Sequence, residues 1–274
     1  FPMRRAPLFL GAFALLLSTT LSGQVAIPAA EPGKCSLIWP GFEDRIERDL
    51  VEGKITKMED VPIGVTKPQR ATMDDGWRFA WKPLKPGYNK GFYESYKSEI
   101  AAYKLDRMLG MHMVPPIAER TIDGKQGAAV FWIENTRGWE VKAPPQGPEP
   151  NWSVQLSRMK MFDQLIANID RNQGNLMYDA DWHLFLIDHS RAFTEKKDLK
   201  GIAPLGRVDR VLWTKMQALT LADLDTGLGD LVGDKQKKAL LERRDQMAKD
   251  IADLIKKRGE KFVFYDDVAM RPSH

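Results

Sequence analysis

The sequence has only one cysteine in 274 residues, Cys35. A lone cysteine excludes both an internal disulfide framework and a zinc site built from cysteines. A concentrated basic block is also missing, since 41 Lys and Arg residues are balanced by 37 Asp and Glu residues for a formal net charge of +4. Nucleic-acid binding needs clustered contacts to phosphates, so we expect no nucleic-acid partner. Hydrophobic residues make up 43% of the chain, which excludes wholesale disorder.

Long apolar runs are scarce as well, and the one near the N-terminus is short. Arg4 and Arg5 precede an apolar run from Leu8 to Leu17, and small residues follow it. Such a run is too short to cross a hydrocarbon core as a helix, which needs roughly 20 residues. The pattern is typical of a secretory signal peptide over residues 1–30, with a twin-arginine signal or an uncleaved anchor as alternatives. We therefore expect an exported, periplasmic or secreted protein of the bacterial envelope that contacts a membrane only through this segment.

Strand and turn signals dominate the chain up to residue 141. Two hairpins are predicted, with turns at residues 74–76 and 123–125. Between them, the segment from Glu94 to Leu109 has the spacing of an amphipathic helix, and Gly110 stands where such a helix ends. These signals predict a small sheet with one helix.

The composition changes after this region. Residues 142–151 are rich in proline and glycine, which is typical of a linker. Most of the later sequence has helical spacing, apart from two short predicted strands at 176–178 and 183–187. We predict an α+β protein with a two-lobed, protein-kinase-like fold: a β-rich N-lobe over residues 31–141 and a mainly helical C-lobe over residues 152–274. A fold alone does not fix a function, so the polar residues must carry that argument.

Three polar residues in the segment NIDRNQGNLMYDADWHLFLIDHSRAF suit phosphoryl transfer. Asp170 and Asn175 are five positions apart on a loop after a helix, and Asp188 follows an apolar strand. Phosphoryl transfer needs a carboxylate that accepts the proton of the attacking hydroxyl, together with oxygen ligands for the ion that bridges the nucleotide phosphates. We predict Asp170 as the catalytic base, and Asn175 and Asp188 as ligands of Mg²⁺ or Mn²⁺.

A lysine for the phosphates and an acid that holds it are predicted upstream. Lys82 lies in the strand WRFAWKPL, and Glu99 lies seventeen residues later in the predicted helix. Lys85 is the alternative lysine, but it follows a proline near the end of the strand. Strand alternation places Lys82 on the face opposite to the neighbouring aromatic residues, so we favour Lys82.

These segments resemble a known family in the same order. FAWKPLKP and SEIAAYKLDRMLGMHMVPPIAER resemble the N-lobe of the secretory-pathway kinases of the Golgi casein kinase, xylosylkinase and four-jointed family, and LFLIDHSRAF is similar to their metal-binding strand. DRNQGN resembles the Asp-Arg-His-x-x-Asn loop of the phosphatidylinositol 3- and 4-kinase-like superfamily, which includes the bacterial toxin serine kinases. The similarity extends from about Val61 to Phe193, roughly half of the chain.

The resemblance implies ATP and a divalent metal as cofactors and the same five residue roles, but the sequence departs from the family at several places. His189 and Ser190 replace the Asn-Gly that follows the metal-binding aspartate, and Asn172 replaces the histidine of the lipid-kinase loop. A Gly-x-Gly-x-x-Gly loop is missing too. Gly64 is the candidate for a close backbone approach to the phosphates, with an ordinary turn glycine as the alternative. Glu134 is the candidate residue of the interlobe hinge beside adenine.

The sequence thus predicts an exported kinase that transfers the γ-phosphoryl group of ATP to a hydroxyl-bearing protein, sugar or lipid. An inactive pseudokinase, acting as a nucleotide-binding or scaffold module, is the main alternative. Nucleotidyl transfer on the same scaffold is a further alternative.

Overall fold

The computed structural model describes residues 36–61 and 68–266. The predicted signal peptide over residues 1–30 and Gly64 lie outside the described residues. Within the two described ranges, none of the helices combines the length and the apolar character that crossing a bilayer requires.

The first half of the described chain contains seven strands and two helices. In chain order the elements are α1 (Glu43–Glu52), β1 (Ile55–Asp60), β2 (Gln69–Met73), β3 (Arg78–Lys82), β4 (Gly87–Asn89), β5 (Phe92–Glu94), α2 (Tyr96–Leu109), β6 (Ile117–Ile122) and β7 (Lys125–Phe131). Five of the strands form an antiparallel sheet in the order β1-β2-β3-β7-β6, and β4 pairs with β5 in a separate hairpin.

The second half is mainly helical. One three-residue strand pairs with another three-residue strand on one side and with a two-residue strand on the other, and a further pair of two-residue strands joins residues 208–209 to residues 264–265. In chain order the elements are β8 (Arg137–Gly138), α3 (Asn151–Ile166), β9 (Leu176–Tyr178), β10 (Leu184–Leu186), β11 (Val208–Asp209), α4 (Arg210–Ala218), α5 (Leu221–Leu228), α6 (Asp234–Arg258), α7 (Glu260–Val263) and β12 (Phe264–Tyr265).

The five-stranded sheet has one helix on each face. Along β7, Ala128 and Val130 belong to a core cluster that includes α2, whereas Ala129 and Phe131 belong to a second cluster that includes α1. Successive side chains of a strand point to opposite faces, so this division places α1 and α2 on opposite sides of the sheet. The cluster with α2 continues into α3, α4, α5 and α6, and α2 therefore joins the sheet to the helical half.

Strand β3 follows the same alternation. Phe79 and Trp81 are buried in the cluster with α1, while Ala80 packs against the cluster with α2. Lys82 is two residues beyond Ala80 and therefore faces α2. Lys85, the alternative lysine, is exposed beyond the end of the strand.

Helix α2 begins and ends with residues suited to those positions. The side chain of Ser95 accepts a hydrogen bond from the backbone N–H of Lys97 at 3.0 Å, which satisfies one of the free donors of the first turn. Gly110 follows the helix with φ of +65°, a left-handed conformation that favours glycine. The predicted helix is confirmed, although Glu94 itself is the last residue of β5.

The hairpin of β4 and β5 was not predicted from the sequence. Its strands have only three residues each, and the turn between them uses Lys90 and Gly91 with positive φ angles of 48° and 87°. Such a turn matches the twist of a tight hairpin. The hairpin stands between β3, which carries Lys82, and α2, which carries Glu99.

The segment that includes the predicted linker packs against a cluster of aromatic rings. Trp139 stacks on Trp152 with a centroid distance of 5.9 Å, and Trp182 meets Trp152 edge-on at 5.5 Å. A Cβ atom on Gly147 would lie 2.9 Å from both Trp152 and Trp182, so this position has room only for glycine. Residues 142–150 form a loop, and Asn151 is already the first residue of α3.

Candidate active site

The predicted lysine and its acidic partner form a buried ion pair between the sheet and α2. Lys82 Nζ lies 2.7 Å from Glu99 Oε1, and the side chains are 13% and 1% exposed. Burial lowers the pKa of Lys82, but the charges of Glu99 and Asp188 have the opposite and larger effect, so its pKa is raised above the ordinary value. Lys82 is therefore a fixed positive charge at neutral pH.

Three hydrogen bonds hold α2 against the segment that follows β10. The backbone N–H of His189 donates to the second oxygen of Glu99 at 2.8 Å. The N–H of Ser95 donates to the carbonyl of Ser190 at 2.9 Å, and the Ser98 hydroxyl donates to the carbonyl of Ala192 at 3.3 Å. Because Glu99 binds Lys82 through one oxygen and the segment at 189 through the other, it connects the sheet to the second half of the chain.

Asp188 lies next to this ion pair. Its Oδ1 is 3.5 Å from Lys82 Nζ and accepts a hydrogen bond from the Ser190 hydroxyl at 3.2 Å. Its φ angle is +60°, a left-handed backbone conformation that is strained for a residue with a side chain and that is often found at functional sites. Burial raises the pKa of Asp188, but the charge of Lys82 and the hydrogen bonds of the carboxylate together lower it by more, so the carboxyl pKa is below its usual range. Asp188 is therefore ionised at neutral pH.

Asn175 is brought beside Asp188 by a short strand pair. In the β9–β10 pair, Leu176 is opposite Leu186, so the residue before β9 meets the residue after β10. The N–H of Ile187 accordingly donates to the carbonyl of Asn175 at 3.1 Å. The register therefore places Asn175 opposite Ile187, one residue before Asp188, and the roles of Asn175 and Asp188 as metal ligands stay predictions.

Arg171 fixes the loop that carries Asp170. Its guanidinium binds Asp163 of α3 at 3.0 Å and donates at 3.0 Å to the carbonyls of both Asn175 and Ile187. Five donors in a rigid planar group suit this role. Arg171 therefore determines how the loop after α3 and the segment after β10 lie relative to each other.

His189 completes this support as a neutral side chain. Arg171 Nη2 lies 2.8 Å from His189 Nε2, and because arginine can only donate, Nε2 accepts and the ring proton is on Nδ1. Burial of the fully enclosed ring, together with the positive charges of Arg171 and Lys82, holds the pKa of His189 well below its ordinary value. His189 thus adds no charge to the site.

Asp170 lies on the loop after α3 and remains partly exposed. Its backbone N–H donates to Asn168 Oδ1 at 3.2 Å, and its carbonyl accepts from Asn175 Nδ2 at 3.0 Å. Its carboxylate Oδ2 is 3.0 Å from Arg191 Nη1, and the Asp170 side chain is 32% exposed. The backbone of Asp170 is therefore held by amide groups, and its carboxylate is held by one guanidinium.

The donor set fits a divalent metal ion. The nitrogen of the Asn175 amide is used in the bond to Asp170, which leaves the amide oxygen as the ligand atom, and the Asp188 carboxylate provides ionised oxygen. Mg²⁺ and Mn²⁺ favour such oxygen ligands and take the remainder from water and substrate phosphates. Over the two described ranges, no group of three His, Cys, Asp or Glu side chains is placed to hold a metal ion.

Glu134 lies away from these groups, in the connection between β7 and β8. Its carboxylate pairs with Arg78 of β3, and its carbonyl oxygen accepts a hydrogen bond from the Ser36 hydroxyl. This connection joins the five-stranded sheet to the strands of the second half, which is where a hinge is expected. The contact of this segment with adenine stays a prediction.

Two residues that the sequence analysis did not single out complete the site. Arg191 pairs with Asp170 and, at 2.7 Å, with Glu94 of β5. The signal that could have found Arg191 is its position three residues after Asp188. Glu94 gave no such signal, because the hairpin that buries it was not predicted.

Comparison with known proteins addresses the fold. No protein-family model matches the sequence, and no curated protein matches it significantly. Solved structures do match. The Golgi casein kinase with Mn and ADP bound aligns over 81% of this chain and 78% of its own, with a TM-score of 0.65 and 14% identity.

This is the fold of the secretory-pathway kinases. The hydra Fam20 structure with sugar aligns over 82% of this chain and 92% of its own, with a TM-score of 0.67 and 16% identity. The Helicobacter pylori proinflammatory kinase CtkA aligns over 78% and 98%, with a TM-score of 0.50 and 11% identity. The two-lobed, kinase-like fold predicted from the sequence is confirmed, and the resemblance to the secretory-pathway kinases is confirmed at the level of the fold.

Proposed function

We propose that the protein is an ATP-dependent phosphotransferase of the kinase type that moves the γ-phosphoryl group to a hydroxyl-bearing protein, sugar or lipid. The observation that carries the proposal is the convergence of groups from four separate segments. Lys82 comes from β3, Glu99 from α2, Asp170 and Asn175 from the loop after α3, and Asp188 from the end of β10. The presence of Mn and ADP in a structure of the same fold further supports ATP with Mg²⁺ or Mn²⁺ here.

The nucleotide side of the site provides charge neutralisation. Lys82 binds phosphate oxygens while Glu99 holds its ammonium in place, and the charge of this pair is little screened because both side chains are buried. Asn175 and Asp188 would hold the divalent ion, which when bound would supply positive charge for the phosphate oxygens. Pre-placed charges of this kind need no rearrangement as the transition state forms.

On the acceptor side, one proton is transferred from the substrate to the protein. The acceptor hydroxyl gives its proton to Asp170 while its oxygen forms a bond to the γ-phosphorus. The bond from that phosphorus to the β–γ bridging oxygen breaks, and ADP leaves. Asp170 suits this role because its backbone is fixed by Asn168 and Asn175 while its carboxylate stays partly exposed to a substrate.

The test is transfer of labelled phosphate by the full-length protein with Mn²⁺ or Mg²⁺, alone and with an envelope extract. Asp188→Asn keeps the shape of the side chain and removes its charge, so it should abolish transfer. Asp181→Asn changes an exposed aspartate between β9 and β10 and should leave transfer unchanged. Equal transfer by wild type and Asp188→Asn would contradict the proposal.

The same assay separates the alternatives. ADP binding without any transfer by the wild type would favour a pseudokinase, and release of pyrophosphate in place of ADP would favour nucleotidyl transfer. The contacts of Lys82 with Glu99 and Asp188, and of Asn175 with Asp170, support turnover.

We also propose that the protein is exported and that residues 1–30 are its signal peptide. The support is the order of basic, apolar and small residues in that segment. A fusion of residues 1–30 to a phosphatase that is active only outside the cytoplasm should give activity, and Leu15→Arg should abolish it. Activity of both fusions at the same level, or of neither, would contradict the proposal.

A further inference from the structure

Arg191 is held by the β4–β5 hairpin through three separate contacts. Its Nε and Nη2 both lie 2.7 Å from Glu94 Oε1. Its guanidinium lies over the ring of Phe92, with 4.5 Å from the central carbon to the ring centroid. Glu94 is 3% exposed, and its other oxygen accepts a hydrogen bond from Asn89 Nδ2 at 2.9 Å. Both carboxylate oxygens of Glu94 are therefore occupied, and the hairpin fixes the plane of the guanidinium.

The third nitrogen of the Arg191 guanidinium binds Asp170. Arg191 Nη1 is 3.0 Å from Asp170 Oδ2, and this is the charged contact that the structure gives to that carboxylate. The five N–H donors of a guanidinium are fixed in one plane, so holding one edge on Glu94 also fixes the direction of the other edge. The position of the Asp170 carboxylate is thereby linked to the hairpin of the first half.

We infer that Arg191 is a positioning residue for Asp170 and that Glu94, with the β4–β5 hairpin, acts on the catalytic loop through it. The inference rests on the proposed function, because it assigns to Arg191 the orientation of the proposed base. With Oδ2 of Asp170 bound by Arg191, Oδ1 is the oxygen that faces the acceptor hydroxyl. Its nearest partner is Asn172 Nδ2 at 3.4 Å, a contact long enough to be displaced by a substrate.

Arg191 does not serve the nucleotide side. Lys82 is bound by Glu99 and Asp188, and Arg191 is paired with Glu94 and Asp170 instead. Loss of Arg191 should therefore lower the rate of transfer and leave nucleotide affinity in place. A misplacement of a catalytic group by about 1 Å can lower a rate by about 100-fold, so a loss of about 10- to 100-fold is expected.

The kinetic test compares wild type with Arg191→Gln, Glu94→Gln and the double variant. Turnover of Mn–ATP and affinity for Mn–ADP are measured on the full-length chain. Arg191→Gln should lower turnover about 10- to 100-fold, with Mn–ADP affinity changed less than about twofold. Glu94→Gln should lower turnover in the wild type, but it should have little further effect when Arg191 is already Gln, because Glu94 acts through Arg191. Lys90→Asn removes a positive charge from the same hairpin and should change neither quantity.

A second measurement reports on position without any turnover. Hydrogen–deuterium exchange of residues 168–173 should become faster in Arg191→Gln and in Glu94→Gln, and it should stay unchanged in Lys90→Asn. Unchanged exchange of this loop in Arg191→Gln would overturn the inference, as would turnover within about twofold of wild type or additive effects in the double variant. A wild type without turnover would contradict the proposed function, while the exchange result would still decide the role of Arg191.

Discussion

The two sides of the proposed cleft are built in different ways. On the nucleotide side, the carboxylate of Glu99 is 1% exposed and is bound by a strand lysine and a backbone N–H. On the acceptor side, Asp170 lies on a loop, is 32% exposed, and is held by Arg191, which is 22% exposed. The buried side is part of the core that unites the two halves, whereas the other side is added to that core by a loop and a hairpin.

Because of this difference, substitutions on the buried side should affect stability, whereas substitutions on the acceptor side should affect turnover alone. Removing a charge from the buried side should leave an unpaired ion in the core and destabilise the fold. Removing the charge of Asp170 should leave the fold intact, since Arg191 is 22% exposed and keeps its pair with Glu94. The predictions below test this separation.

The largest effect is expected at Asp170. Asp170→Asn removes the proton acceptor and should lower transfer by about 10²- to 10⁴-fold, as general bases do. Steady-state transfer kinetics measures this loss, and differential scanning fluorimetry should show an unchanged melting temperature. A large drop in melting temperature would contradict the division between the two sides.

The next effect is expected at Lys82. Lys82→Met leaves Glu99 buried without its cation, so the free energy of unfolding should fall by about 3–5 kcal/mol, as it does when one member of a buried pair is removed. Denaturant unfolding measures the change. The double variant with Glu99→Leu should recover part of the loss, because no unpaired charge remains, but it should stay inactive. A Lys82→Met variant as stable as the wild type would show that the pair does not stabilise the core.

The sequence predicted the buried side more completely than the acceptor side. Strand alternation chose Lys82 over Lys85, and helical spacing placed Glu99 on α2, because burial imposes regular periods on a strand and a helix. Arg191 and Glu94 are 97 positions apart, and their strands and loops carry no such period. The pairing of two polar residues on short, irregular elements leaves no periodic signal in one sequence, even though the position of Arg191 after Asp188 can be read from it.

The region around Asn175 shows the intermediate case. The order of loop, strand and aspartate predicted Asn175 and Asp188 as metal ligands, and the β9–β10 register places Asn175 opposite Ile187, next to Asp188. The role of Arg171 in fixing both segments is visible only in the structure, because its guanidinium binds two backbone carbonyl groups and a sequence pattern does not show where those groups point.

A smaller effect concerns the pH dependence of the free energy of unfolding. Asp106, near the end of α2, is 2% exposed, and burial raises its pKa to about 7 although the N–H groups of Val114 and Met113 donate to it. Between about pH 4 and pH 7 the folded state then binds a proton that the unfolded state has lost, so this group's contribution to stability falls as pH rises, by up to about 1.4 kcal/mol per pH unit.

The comparison with Asp106→Asn isolates this titration. The stability of wild type relative to the variant should decline from pH 4 to pH 7 in denaturant unfolding, whereas wild type relative to Asp181→Asn should not. A wild-type advantage that grows over this range would contradict the prediction.

The smallest effect concerns the attachment of α1 to α2. Glu47 of α1 is 18% exposed and accepts from Tyr103, Lys104 and Arg107 of α2. Glu47→Gln should lower the free energy of unfolding by about 1–2 kcal/mol, because three donors lose a charged acceptor. Asp44→Asn, which breaks an exposed pair with Arg107, should lower it by less, because water screens that pair. Equal losses in the two variants would show that burial does not strengthen this contact.

The most direct test of the proposed site is the binding of Mn–ADP, measured by isothermal titration calorimetry. The account predicts one site per chain in the wild type, no binding by Asp188→Asn, and weak binding by the wild type when the metal is removed. Asp170→Asn, on the other side of the cleft, should bind as the wild type does. Binding by Asp188→Asn at the wild-type affinity, or no binding by the wild type, would contradict the claim that Lys82, Asn175 and Asp188 form a nucleotide–metal site.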